Sequence, residues 1–301
     1  MPTVHQNRRR PKMRQMLQQL WHALMVGWDL YLFAFGYGIV FVLLGIAAIS
    51  LSGHSMSTSA MSDGPGWTAP NAVHWFGTSR DGIDMMGPVL HAAGRSIWLA
   101  LLATVGGSLA GLAVATLFFF VWRERGYRML DRLAGWGAAI PAIFMVLTLA
   151  AGHGAGFGVT LLILSGLCAL FVAGRSGRWF HELESSGDVL AARALGYSRR
   201  RLLIDHLFTR LWKHAAASAA TLLPGVLLAE AALGFTGIGA QVSPAANRIG
   251  MLIAEGNETL FDAPWLVFFP GLVLWILCVV LATFAWAVRR TLGEAIDERL
   301  F

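Results

Sequence analysis

Apolar residues in this chain gather into runs near the length that a bilayer demands of a helix, about 20 residues. Six runs are read, at 33–51, 96–121, 134–152, 157–174, 215–235 and 264–288. Hydrocarbon offers no water to backbone N–H and C=O groups, so such runs must satisfy them within helices or a closed barrel. Strand-type alternation is absent, which argues against the barrel. Of the 301 residues, 56% are hydrophobic and 13% charged, where a soluble domain carries about a quarter charged. The expected fold is all-α: one membrane domain with six transmembrane helices, no internal repeat and no soluble domain. The first run starts too far along the chain, and lacks a small-residue cleavage site, to look like a removable signal. The third is short and holds Pro141, which would kink a membrane helix and free a carbonyl.

A net charge of +6 raises the question of nucleic acid, and the positions of the charges answer it. All of the 23 Lys and Arg except Arg80, Arg95 and Arg248 fall in the N-terminal segment, the second and fourth loops, or the C-terminus. That is the positive-inside pattern. It puts both termini and the 175–214 loop in the cytoplasm of a multi-pass inner-membrane protein, and it requires an even number of spans. The expected plan is a cytoplasmic segment at 1–32, the first span at 33–51, an external loop at 52–95, a five-helix core at 96–289 and a tail at 290–301. Met13, Met16, Leu17, Leu20, Trp21, Leu24 and Trp28 recur at helical spacing, predicting an amphipathic helix on the membrane surface or an extension of the first span. Cys168 and Cys278 both lie in apolar runs and read as small buried hydrophobes.

The 175–214 loop is polar and basic between two apolar spans. Leu190, Ala191, Ala192, Ala194 and Leu195 are strong helix formers. Gly196 suits a left-handed C-terminal cap, and Ser198 can cap a second helix carrying Leu202, Leu203, Leu207 and Leu211. The expectation is a cytoplasmic helix–turn–helix, able to dock against a partner or serving only to fix topology. On the other side, Gly77 and Gly82 permit tight turns, while Ser79, Asp81 and Asp84 can cap a helix over 83–94. Residues 251–260 read as a short surface helix.

Glu230 is the acid that most needs explaining. An ionised group at membrane depth costs roughly 3 kcal/mol on translocon scales, so it must face protein or a water-filled path. Glu230 and Pro141 are the candidate pathway or gate residues, with helix packing against another subunit as the alternative for Glu230. The nine histidines form no spacing suited to a metal cage. No Gly-x-x-x-x-Gly-Lys-Ser/Thr stretch exists to cradle phosphates, and no nucleophile–base arrangement stands out, so no catalytic residue is assigned and no cofactor is expected on this chain.

At this point the residues resemble a family. Ala191, Ala192, Gly196 and His206 match the coupling loop of ABC importer permeases, whose pattern is Glu-Ala-Ala, three residues, Gly, and later His-Ile-Leu-Pro. His74-Trp-Phe-Gly-Thr-Ser-Arg-Asp-Gly-Ile-Asp84 resembles the external motif of the dipeptide, oligopeptide and nickel branch, His-x-Leu-Gly-Thr-Asp-x-x-Gly-Arg-Asp. Leu228–Gly239 and Ala263–Gly271 resemble that branch's fifth span and the start of its last. Order and spacing agree across most of 74–301, and the branch's second permease is the one indicated. Departures are Leu190 for the motif's Glu, Thr209 for its Pro, Ser79 and Ile83 in the external motif, and Asn247-Arg248-Ile249 near a common Trp-Gly pair.

The resemblance implies a type I ABC importer permease fold. It implies a homologous permease, two cytoplasmic ATPases that bind ATP and Mg, an extracytoplasmic binding protein and lipid as partners, with no nucleic acid. Peptides or related small solutes, metal chelates among them, would cross by alternating access. Asp188, Leu190, Ala191, Ala192, Gly196, Arg199, Arg200 and His206 would couple to the ATPase. Gly77, Thr78, Asp81, Asp84 and Arg248 would face the binding protein. The competing readings are a non-transporting or weakly coupled scaffold, suggested by Leu190, and an ATP-independent secondary transporter, which would need coupling ionisable groups and usually an inverted repeat.

Overall fold

The structure is a computed structural model and describes residues 66–139, 157–184, 186–197, 208–236 and 248–297. Six helices follow in order: α1 (Met86–Ala139), α2 (Phe157–Glu184), α3 (Gly187–Ala194), α4 (Phe208–Phe235), α5 (Ile249–Asn257) and α6 (Trp265–Asp297). Four carry stretches long and apolar enough to cross a membrane: Met86–Phe119, Phe157–Gly177, Lys213–Phe235 and Trp265–Arg290. These correspond to the second, fourth, fifth and sixth expected spans. The first span, the surface helix at 13–32, Pro141 and the third span beyond residue 139 lie outside the described residues.

The helices outrun the apolar runs that foretold them. The helix expected over 83–94, meeting the second span near Arg95, begins at Met86 and continues into that span unbroken. The loop expected between the second and third runs is helical too, so the boundary placed at 134 falls inside α1. Hydropathy marks where hydrocarbon ends, whereas a helix ends where the backbone is broken or capped. Residues 122–133 contain Arg, Leu, Met and Glu, good helix formers, and no proline. At 1.5 Å per residue the 54 residues of α1 extend about 80 Å, far beyond the roughly 30 Å of hydrocarbon. α2, α4 and α6 overrun their expected limits at that same basic end, reaching Glu184, Phe208 and Asp297.

Lipid is as apolar as leucine, so helices in a membrane associate by close packing rather than by hydrophobic burial. α1 and α2 do this through small residues. A Cβ on Gly107 would stand 2.5 Å from both the Cys168 Cβ and the Ser165 carbonyl oxygen. One turn on, a Cβ on Gly111 would collide with the Ala169 carbonyl oxygen. Around this seam a cluster of Val89, Leu99, Leu164, Cys168, Leu227, Leu233 and Ile249 joins α1, α2, α4 and α5. A second cluster, of Ala115, Phe119, Leu130, Ala173, Phe180, Val189 and Ala192, ties the far halves of α1 and α2 to α3. Phe119 and Phe180 stack there with ring centroids 4.8 Å apart. α5 is not the surface helix expected: Ile249, Gly250, Met251, Leu252 and Gly256 are buried. A Cβ on Gly250 would strike the Ala231 carbonyl oxygen of α4, and only a bare backbone admits so close an approach.

Candidate functional site

Among the described residues, the expected site residues fall at a knot ahead of α1, a buried charge pair beneath α5, and the short helix α3.

The knot is a compact backbone fold over residues 67–85. Trp67 N donates to the Ser79 carbonyl (3.0 Å), Thr78 N to the Thr68 carbonyl (3.0 Å) and Met85 N to the Gly77 carbonyl (3.1 Å). Gly77 and Gly82 adopt φ of +71° and +74°, the left-handed backbone for which glycine has no steric penalty. Asp84 does two tasks. Its Oδ1 accepts from Met86 N at 2.9 Å, capping the first turn of α1, and its Oδ2 lies 3.1 Å from His74 Nδ1. The knot is anchored on α6: Phe76 stacks on Phe269 at 4.5 Å, and Trp265 Nε1 donates to the Thr78 carbonyl at 3.3 Å. A side chain at Gly77 would meet the Trp265 ring at 2.6 Å.

This changes the reading of the residues expected to face a binding protein. Asp81 is exposed and Asp84 partly so, but Gly77, Thr78 and Arg248 are buried. The motif around Gly77 and Thr78 fastens the knot to α6, and its outward surface is instead Val73 (77% exposed) and Trp75 (64%).

Arg248 is 6% exposed because it turns inward from the start of α5. Its Nε stands 3.4 Å from Glu230 Oε1 on α4, and its Nη1 donates to Thr160 Oγ1 on α2 at 3.3 Å. Ser96 of α1 lies beside the Glu230 carboxylate, and its hydroxyl oxygen accepts from Ile249 N at 3.2 Å. Glu230, Ser96 and Thr160 are wholly buried. Four helices thus converge on one charge pair. The Arg248 guanidinium and the Ser96 hydroxyl are the groups that face the Glu230 carboxylate. Within this chain Glu230 has Arg248 as its charged partner. In the sequence only half of this pair is visible: an acid in a span must find a partner, whereas nothing singles out Arg248 in its external loop.

α3 divides its motif between two faces. Val189 and Ala192, three apart, point into the second cluster. Leu190, Ala191, Ala194 and Leu195 face out, Leu190 being 53% and Leu195 79% exposed. Gly196, at φ +81°, ends the helix, and Tyr197 N donates back to the Ala192 carbonyl at 3.1 Å. Asp188 opens the helix. Arg199, Arg200 and His206 lie outside the described residues, as does the start of the second helix of the expected pair. Among the described residues no group of three or more His, Cys, Asp or Glu gathers as metal ligands would.

No family model matches the chain. Curated proteins do. A Brucella suis protein named for a peptide transport system permease is 27% identical over 239 residues, 77% of this chain and 75% of its own length. The oligopeptide transport system permease protein OppC of Mycobacterium tuberculosis is 25% identical over 214 residues, covering 70% and 72%. The dipeptide transport system permease protein DppC of Alkalihalophilus pseudofirmus is 25% identical over 234 residues, covering 77% and 74%. The likeness first carried by the 74–84 motif and the Ala191–Gly196 segment therefore extends over some three quarters of the sequence, and the chain is a relative of the permease subunits of peptide, oligopeptide and dipeptide transport systems.

Proposed function

We propose that this chain is a transmembrane permease subunit of an ATP-driven importer that takes peptides, or small solutes of similar chemistry, across the inner membrane. The observation that carries the reading is α3, a short helix fixed by one face to the ends of α1 and α2 while its other face is bare and apolar. A helix so placed can pass force between an outside partner and the membrane helices, because Val189 and Ala192 interlock with Phe119 and Phe180 rather than resting on lipid. Single apolar side chains on a surface are ordinary, but grouped ones mark contact surfaces.

In this mechanism two cytoplasmic ATPases sit below a pair of homologous permeases, and ATP and Mg belong to the ATPases. Leu190, Ala191 and the neighbouring Asp188 enter a groove on one ATPase, Gly196 sets the turn, and Arg199, Arg200 and His206 flank it. Closure of the ATPase pair shifts α3, and α1 and α2 follow as rigid bodies, switching access from one side to the other. A binding protein delivers solute at the face that bears Trp75, Asp81 and Asp84. Pro141, in the third span, lies along the path between the permeases.

The test is reconstitution. Purified with its companion permease and ATPases in liposomes, the chain supports uptake of a labelled peptide that depends on ATP and on the binding protein. Recovery of this chain free of any ATPase in every mild detergent sinks the proposal, as does uptake that proceeds undiminished without ATP.

A further inference from the structure

The Glu230–Arg248 pair contributes to something other than bulk stability. Both charges are taken out of water, and the attraction gained in return commonly no more than offsets that cost. What a buried pair adds is direction: apolar attraction is non-directional, whereas a charge pair is satisfied at one separation and orientation. That distinction matters for α5. On α4 the helix packs through backbone at two glycines, Gly250 lying on the Ala231 carbonyl and Gly234 having its nearest neighbours in Gly250 and Met251, and through the buried side chains of Ile249 and Leu252. To this apolar seat the charge pair adds a directional contact. At its other end α5 runs into the turn that carries Phe261, which is 99% exposed, and then into α6.

We propose that Arg248 is a positioning residue: through Glu230 it fixes the register of α5 on α4, so that a displacement of the external 258–262 turn is carried into α4. Thr160 and Ser96 complete the seat, one holding the guanidinium from α2 and the other holding the first turn of α5 from α1. The pair thereby links an external surface to three membrane helices at a single point. The consequence for transport rests on the importer reading given above; the register itself does not.

The experiment uses the full chain in nanodiscs, alone and within the assembled transporter. Replacing one partner strands the other's charge, so the informative variant replaces both with apolar groups of similar volume, Glu230→Leu with Arg248→Met. In the chain alone, amides of 249–257 exchange with solvent about tenfold faster in the double variant than in wild type, the size of a typical coupling between sites. In the transporter, the ratio of binding-protein-stimulated to basal ATP hydrolysis falls by about the same factor at unchanged subunit yield. A role in packing alone predicts that the double variant, once assembled, keeps the wild-type ratio, and that result overturns the inference. So does unaltered exchange across α5. Arg248→Lys is the second reading if the double variant does not assemble: it retains charge but loses the forked geometry. A reduced ratio at normal yield supports positioning, and an unchanged one refutes it. A wild-type transporter with no stimulation at all counts against the importer reading, while the exchange result still decides the role of Arg248.

Discussion

Gly77 and Gly196 share a left-handed backbone, at φ +71° and +81°, yet their surroundings differ. Nothing lies within 4 Å of a Cβ built on Gly196, whereas at Gly77 the Trp265 ring lies 2.6 Å away and the Thr68 carbonyl oxygen 2.9 Å away. Alanine at 196 should therefore cost only the left-handed penalty, roughly 1–2 kcal/mol. Alanine at 77 adds an overpacking cost of roughly 1–3 kcal/mol and disturbs the Trp265 anchor. Thermal unfolding of the two variants in one detergent checks this, and a Gly77→Ala melting point at or above that of Gly196→Ala contradicts it. Both turns were legible in the sequence, because glycine between capping residues signals a backbone others avoid. The charge pair was not. Arg248 reads as an exposed loop cation until the fold brings it to Glu230, 18 positions earlier in the chain, and spacing in an irregular segment carries no information about such closure.

Elements were legible in kind and less so in extent. The four described spans fall where the apolar runs are, since burial in lipid leaves a compositional mark. The ends do not coincide, because arginine-rich sequence past the bilayer goes on as helix. For α5 the helix is only nine residues long, too short to mark a span, and the glycines that let it lie against α4 add little to its hydropathy. One charged group on this element allows a pH test. Glu255, near its exposed end, has its carboxyl raised above the ordinary value by partial burial and then by the charge of Glu258. The folded chain thus prefers the protonated form. Its contribution is intact below the unfolded carboxyl range and is lost as pH climbs through the raised value. Glu255→Gln, which keeps the shape without the charge, should melt above wild type at about pH 8 and alongside it at about pH 4, the latter near the free Glu value. Equal melting points at both pH values remove Glu255 from the account.

Across the whole molecule, features segregate by end. The starts of α1, α2 and α6, the finish of α4, the knot and the Glu230–Arg248 pair share one end, while the second cluster and α3 share the other. Between them run helices zipped at Gly107 and Gly111, where two backbones touch and leave no side chain to yield. In the proposed importer, a displacement imposed at α3 would pass to α1 and α2 together. The α3 end bears the basic residues, and by the positive-inside pattern it is the end expected in the cytoplasm. Trp75 (64% exposed) and Leu195 (79%) mark the two ends, and the native Cys168 and Cys278 lie within the helices, shielded from a polar reagent. In intact cells treated with a membrane-impermeant maleimide, Trp75→Cys should be modified, and Leu195→Cys should react only after the membrane is opened. Labelling of Leu195→Cys in intact cells would invert the molecule and place α3 beyond the reach of any cytoplasmic ATPase.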